Sequence, residues 1–77
     1  MKIFAERIHA LRKDRNIRRE DIAKEIGISF QSYRRYETDE RDPSAPTIVA
    51  MADFFNVSTD YLLGRKDEPF EVNGNEH

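Results

Sequence analysis

The 77-residue sequence contains no cysteine and no tryptophan, and it has only three glycines and three prolines. The absence of cysteine excludes a disulfide framework, a thiolate nucleophile and a thiolate metal site. No apolar run approaches the roughly 18 residues that cross a membrane, and no apolar segment of a signal peptide follows Met1. These absences predict a cytoplasmic protein without a membrane partner.

The length leaves room for one small domain. Charged residues make up 36% of the chain, and the net charge is −2, which taken alone argues against a nucleic acid as partner. The charges are unevenly placed, however. Residues 1–38 hold ten basic and six acidic side chains, whereas residues 39–77 hold three and nine. The first half is therefore the candidate surface for a polyanion.

Apolar residues recur at helical spacing in five short segments, and no segment has the alternation of a β-strand. Gly27 and Asn56 suit the left-handed ends of two helices, and Ser29, Ser44 and Ser58 suit N-caps. The predicted helices cover about residues 2–14, Arg19 to Ile26, about 30–38, the segment from Ser44 to Phe55, and the segment from Ser58 to Leu63.

These helices are too short to be stable alone, so they must share one core. The sequence predicts an all-α, compact five-helix bundle over residues 2–65, followed by an acidic, mobile tail over residues 66–77. The alternative for the tail is a short arm across a dimer through Phe70 and Val72. The predicted core consists of Phe4, Ile8, Leu11, Ile17, Ile22, Ala23, Ile26, Ile28, Tyr33, Tyr36, Ile48, Met51, Ala52, Phe55, Leu62 and Leu63.

Two short helices joined by the three residues 27–29 satisfy the geometry of a helix-turn-helix, over about residues 19–38. In such a unit the second helix enters the major groove of DNA. Gln31 suits adenine, and Arg34 and Arg35 suit guanine or phosphate. Phe30 has two readings: it touches a thymine methyl group, or it folds back onto the bundle.

Residues 7–65 resemble the Cro/C1-type (XRE family) helix-turn-helix domain of phage repressors and bacterial regulators. The resemblance rests on the segments Leu11-Arg12-Lys13, Asp21-Ile22-Ala23, Ile26-Gly27-Ile28-Ser29, Tyr33 to Glu37, Pro43-Ser44, and above all Ala52 to Arg65. It implies a lambda repressor-like DNA-binding domain that acts on transcription, as a homodimer on a palindromic operator. It also implies an ion pair between Arg12 and Glu37, which would set helix orientation more than stability.

The residues predicted to contact DNA are Arg19, Ser29, Phe30, Gln31, Ser32, Arg34, Arg35 and Arg41. The chain departs from the family in two places. Arg18 and Arg19 stand where the family often has Ser and Gln, so a phosphate there would neutralise two cations beside a helix N-terminus. The loop after the third helix holds three carboxylates, which predicts weaker or more salt-sensitive binding.

These observations favour a sequence-specific repressor of phage or mobile-element type that binds double-stranded DNA. The alternative is an antitoxin-like protein, or one regulated by a protein partner, whose main contact is another protein. We expect no enzymatic activity, because the sequence has no paired catalytic groups and no Gly-rich phosphate loop. We expect no cofactor, metal site or small-molecule substrate, since His9 sits among charged residues of the first helix and His77 is terminal.

Overall fold

The computed structural model describes residues 1–70. Over these residues the chain forms five α-helices and no strand. The helices are α1 (Lys2–Asp14), α2 (Arg19–Ile26), α3 (Phe30–Glu37), α4 (Ala45–Phe55) and α5 (Thr59–Leu62). The predicted all-α bundle is therefore confirmed. The third and fifth helices each end one residue earlier than predicted, because Thr38 and Leu63 are their C-caps.

Serine hydroxyls begin three of the helices. Ser29, Ser44 and Ser58 accept hydrogen bonds from the backbone N–H groups of Ser32, Thr47 and Tyr61, at 3.0, 3.3 and 3.0 Å. Each bond satisfies a donor that has no partner within its own helix. The N-caps predicted at these serines are therefore confirmed.

The core lies where α2 packs on α3 and α4, and where α1 packs on α3 and α5. Phe4, Ile8, Ile22, Tyr33, Met51, Phe55 and Leu62 are fully buried there. Ala5 and Val57 are also buried, although the helical spacing did not single them out. Six residues predicted for the core are half-buried: Leu11, Ile17, Ile26, Ile28, Ile48 and Leu63, of which the first five pack against the core at its edge. A bundle this small has too little interior to enclose them.

The first residues after the bundle are held by hydrogen bonds. Arg7 donates to the carbonyl oxygens of Tyr61 and Lys66, at 2.6 and 2.7 Å, and its guanidinium lies 4.1 Å from the Tyr61 ring centroid. The N–H of Ser58 donates to Pro69 at 2.8 Å. The part of the predicted tail from Lys66 to Pro69 therefore lies against the bundle. Residues 71–77, including Val72 of the suggested arm, lie outside the described residues.

No helix within residues 1–70 combines the length and the apolar character that crossing a bilayer requires.

Candidate nucleic-acid interface

The turn between α2 and α3 is a Schellman motif. Gly27 has a φ of 76°, the N–H of Ile28 donates to Ala23 at 2.9 Å, and the N–H of Gly27 donates to Lys24 at 3.3 Å. These two bonds close the last turn of α2, and the cap at Ser29 then begins α3 without a flexible linker. Backbone geometry therefore orients α3 against α2.

The two sides of α3 differ in burial. Tyr33, Tyr36 and Glu37 are buried against the bundle, whereas Gln31 and Arg35 are exposed. Because α3 is held through its inner side, its outer side is free to enter a groove of DNA. Ser32 and Arg34 flank this outer side and are partly exposed.

Phe30 opens α3 with 47% of its surface exposed. The ring is half-exposed and lines an open groove together with residues of α1 and of the start of α2. Contact with a thymine methyl group and packing back onto the bundle therefore both stay predictions.

The hydroxyl of Ser29 is already in use. It accepts the N–H of Ser32 and donates to the Ser32 hydroxyl at 2.9 Å. A phosphate bound at this helix start must therefore share the Ser29 hydroxyl with the cap, or be held by backbone N–H groups.

The carboxylate of Glu37 joins three elements. Arg12 donates from Nε to Oε1 at 2.8 Å and from Nη2 to Oε2 at 2.9 Å. Arg19 donates to Oε2 from Nε and Nη2, at 3.2 and 3.1 Å, and His9 Nδ1 lies 2.7 Å from the same oxygen. We call these four residues the Glu37 network. It ties the end of α3 to α1 and to the start of α2.

Only part of the network was predicted. The ion pair that the resemblance implied between Arg12 and Glu37 is present. Arg19, which was predicted to contact phosphate, also bonds Glu37 while 31% of its side chain stays exposed. The sequence reasoning missed His9 in this role. The available signal was its position three residues before Arg12, on the same side of a helix.

The network keeps Glu37 ionised. Its side chain is fully buried, and burial alone would raise the pKa of the carboxyl. Hydrogen bonds from Arg12 and His9 outweigh the burial and lower the pKa of Glu37 to about 2. The carboxylate therefore remains an acceptor throughout the physiological pH range.

An open groove of about 450 Å³ lies beside this network, between the end of α1 and the starts of α2 and α3. Its lining consists of His9, Arg12, Lys13, Arg18, Arg19, Glu20 and Phe30, and we call it the basic groove. The start of α2 has no side-chain cap, so its backbone N–H groups add to the positive potential there. This arrangement suits a phosphate group.

The loop after α3 carries the last predicted DNA contact, Arg41. This residue is exposed, and its guanidinium lies 6.0 Å from the centroid of the Tyr36 ring. Asp39 and Asp42, in the same loop, both bond the amino group of Met1. That cation partly neutralises the negative charge near Arg41.

Arg15 is an anchor that the sequence reasoning also missed. It donates to the carbonyl oxygen of Phe55 at 2.7 Å, and so ties the end of α1 to the end of α4. Nothing in the local sequence pattern distinguishes Arg15 from a solvated surface cation, because its acceptor lies 40 residues away along the chain.

Comparison with known proteins gives a consistent match. A protein-family model described as Helix-turn-helix matches residues 8–62. The chain is 43% identical over 60 residues to the cryptic phage CTXphi transcriptional repressor RstR of Vibrio cholerae serotype O1 (strain ATCC 39315 / El Tor Inaba N16961), covering 78% of this chain and 54% of RstR. It is 36% identical over 67 residues to YobD of Bacillus subtilis (strain 168), an uncharacterized HTH-type transcriptional regulator, covering 87% of this chain and 60% of YobD.

Among solved structures, the crystal structure of the P22 c2 repressor protein in complex with a synthetic operator superposes with a TM-score of 0.73 and 32% identity. The match covers 77% of this chain and 89% of that one. The chain spans little more than half the length of the first curated relatives it matches.

Proposed function

Because the chain belongs to the helix-turn-helix family of the Cro/C1 type, we propose that it is a sequence-specific DNA-binding regulator of transcription, and that it acts as a repressor. The observation that carries this proposal is the outer side of α3, where Gln31 and Arg35 are exposed on a helix held rigidly by the turn before it. The similarity to a repressor solved with its operator supports the same function.

In the proposed complex, α3 lies in the major groove. Gln31 makes a bidentate contact with adenine, and Arg35 makes one with guanine O6 and N7, since these pairs match the donors and acceptors of each base. Phe30 at the helix start contacts a thymine methyl group, and Ser32 and Arg34 contact the flanking backbone. Base contacts then come mainly from one side of one short helix.

Phosphate contacts position that helix. Arg19 and the backbone N–H groups at the start of α2 hold one phosphate, at the basic groove. Ser29 holds a second, beside the start of α3, and Arg41 contacts the strand on the other side of the groove. These contacts fix the register of the protein on the duplex without reading its sequence.

A homodimer fits this function best, because one eight-residue helix reads few base pairs. Two copies related by a two-fold axis would read half-sites about one helical turn apart, roughly 34 Å centre to centre. Repression would follow from occupying the operator. The relatives named above are regulators and repressors of transcription, which favours this function over the alternative of a protein whose main contact is another protein.

Selection from a pool of random duplex DNA tests the proposal. We expect enrichment of a two-fold symmetric motif, and binding of the motif about a thousandfold or more tighter than random duplex at physiological salt. Sedimentation of the complex should show two chains per duplex. Recovery of no motif, together with a stoichiometric protein partner in pull-downs, would contradict the proposal and favour the alternative.

A further inference from the structure

We propose that His9 is a further DNA contact, one that donates to a backbone phosphate from Nε2 only when its imidazole is protonated. This inference rests on the proposed function, since it places that phosphate in the basic groove. It makes DNA binding stronger as the pH falls through the range in which histidine ordinarily titrates.

The first step is the position of the ring. His9 lies in the middle of α1, its side chain is 49% exposed, and it lines the basic groove together with Phe30 at the start of α3. Its Nδ1 contacts the same Glu37 oxygen that Arg19 contacts. The imidazole is therefore a neighbour of the guanidinium proposed to hold a phosphate.

The second step is the tautomer. Glu37 is ionised, and an ionised carboxylate only accepts hydrogen bonds, so Nδ1 of His9 must carry the proton in the 2.7 Å contact. In a neutral imidazole the other nitrogen, Nε2, then has a lone pair and no hydrogen. A lone pair facing a phosphate oxygen repels it, whereas protonation converts Nε2 into a charged donor.

The third step is the charge around the ring. Besides the basic groove, His9 lines a second groove, between α1 and the end of α3. The cations that line these two grooves are Lys2, Arg12, Lys13, Arg18 and Arg19. The carboxylates there are Glu6, Glu20, Glu37 and Asp39. Among the side-chain types that line these grooves, imidazole is the one whose ordinary pKa falls between about pH 6 and pH 7.5, whereas the other types ordinarily keep a constant charge there.

Within the Glu37 network itself, the two arginines and the single carboxylate already give a net charge of one positive unit when His9 is neutral. A proton on His9 raises that net charge to two. A bound phosphate offsets the added charge, so the proton and the phosphate each favour binding of the other. The amino group of Met1 does not compete in this interval, because hydrogen bonds to Asp42 and Asp39 raise its pKa.

The test compares three full-length proteins on the selected duplex, at about pH 6 and about pH 7.5 and fixed ionic strength. For the unmodified protein we expect affinity to rise about fivefold at the lower pH, because a charge-assisted hydrogen bond from Nε2 then replaces a lone pair that repels the phosphate. His9→Gln keeps an amide donor for Glu37 but cannot titrate, so its affinity should change less than twofold. His77→Gln removes the other histidine of the sequence and should behave like the unmodified protein.

The salt dependence gives a second readout. The slope of log affinity against log salt should be steeper at the lower pH in the unmodified protein by about 0.9 for each chain, or about 1.8 for the dimer, and unchanged in His9→Gln. An equal pH effect in the two proteins would overturn the role of His9 while leaving DNA binding intact. If the unmodified protein selected no duplex and bound none at either pH, the proposed function itself would be overturned.

A measurement on the unmodified protein covers the case in which His9→Gln does not fold. Histidine resonances followed by NMR should show the titration midpoint of His9 moving upward when the duplex is added, because protonation and phosphate binding are linked. An unchanged midpoint in the DNA complex would exclude the proposed contact.

Discussion

At the scale of single residues, a substitution of Arg35 should affect the proposed recognition of DNA without affecting the stability of the fold. Its side chain is exposed on α3 and belongs to none of the described ion pairs of residues 1–70. Arg35→Ala should weaken binding to the selected duplex by about 1–3 kcal/mol for each half-site, the value of one bidentate base contact, while the melting temperature stays nearly the same. Fluorescence anisotropy and thermal denaturation measure the two quantities.

Arg65→Ala is the matched control, because Arg65 is an exposed arginine beyond α5 with only a 3.9 Å contact to Asp60. It should leave the affinity for the selected duplex unchanged. If Arg35→Ala bound that duplex as tightly as this control does, the proposed role of α3 as the recognition helix, with Arg35 contacting a base, would be wrong.

Glu37 has the opposite role: its side chain affects stability rather than base contacts. Because the pKa of the folded carboxyl lies at about 2, below its ordinary value of 4.5, the carboxylate stabilises the fold above that ordinary value. The contribution is lost as the pH falls from about 4.5 towards 2, and the shift corresponds to about 3 kcal/mol. Urea unfolding of the native protein should therefore show a falling free energy of unfolding through this interval.

Glu37→Gln removes the titrating group. The variant should be less stable than the native protein at neutral pH by about 3 kcal/mol, because Arg12 and Arg19 lose their anionic partner. It should also lose most of the decline in stability between about pH 4.5 and pH 2. A decline as steep as in the native protein would show that other carboxyls, and not Glu37, produce it.

At the scale of elements, the turn after α2 depends on a left-handed residue. Gly27 has a φ of 76°, and a Cβ added there would meet nothing within 4 Å. Gly27→Ala should therefore cost about 1–2 kcal/mol of unfolding free energy from backbone strain alone, and Gly27→Asn less, because asparagine tolerates this conformation.

Gly64→Ala makes a useful comparison in the same denaturation experiment. The backbone there is also left-handed, with a φ of 80°, but an added Cβ would lie 2.9 Å from Cγ2 of Ile3. This variant should be destabilised more than Gly27→Ala, since strain and a close contact act together. An equal stability of Gly27→Ala and the native protein would show that the turn does not require a left-handed residue.

The elements themselves were predictable because their ends are coded locally. A serine hydroxyl begins α3, α4 and α5, and Gly27 and Asn56 end α2 and α4 in the left-handed conformation. Each signal acts within five residues, so it can be read from the sequence without knowing the fold. The burial of Ala5 and Val57 could not be read in this way, because it depends on which helix packs over them.

At the scale of the whole molecule, the placement of charge affects the proposed binding to DNA. A net charge of −2 predicts weak affinity for random duplex, because non-specific binding depends on cations that neutralise phosphates. The carboxylates of the loop after α3 add to this effect, and the Met1 amino group offsets part of it. Specific base contacts must then supply a larger share of the binding free energy than in a basic relative.

Arg19 tests the electrostatic part of this account. If Arg19 of each chain holds one phosphate, Arg19→Ala should make the slope of log affinity against log salt shallower by about 0.9 for each bound chain, or about 1.8 for the dimer, for the selected and the random duplex alike. Arg19→Gln should give the same shallower slope as Arg19→Ala, because its side chain is neutral, while its amide can still donate to Glu37. A native slope in both variants would remove Arg19 from the proposed phosphate site, and Arg65→Ala again serves as the control.

The sequence by itself determined the five helices, the serine N-caps of three of them, the turn at residues 27–29 and the polar outer side of α3, because these features depend on neighbours a few residues away. Only the tertiary structure decided that Phe30 is exposed, and that His9 and Arg19 meet on one oxygen of Glu37. These contacts join residues 18 and 28 positions apart, and their partners are chosen by helix packing. Local pattern carries no information about such packing, so the network on which the pH dependence rests appears only in the folded chain.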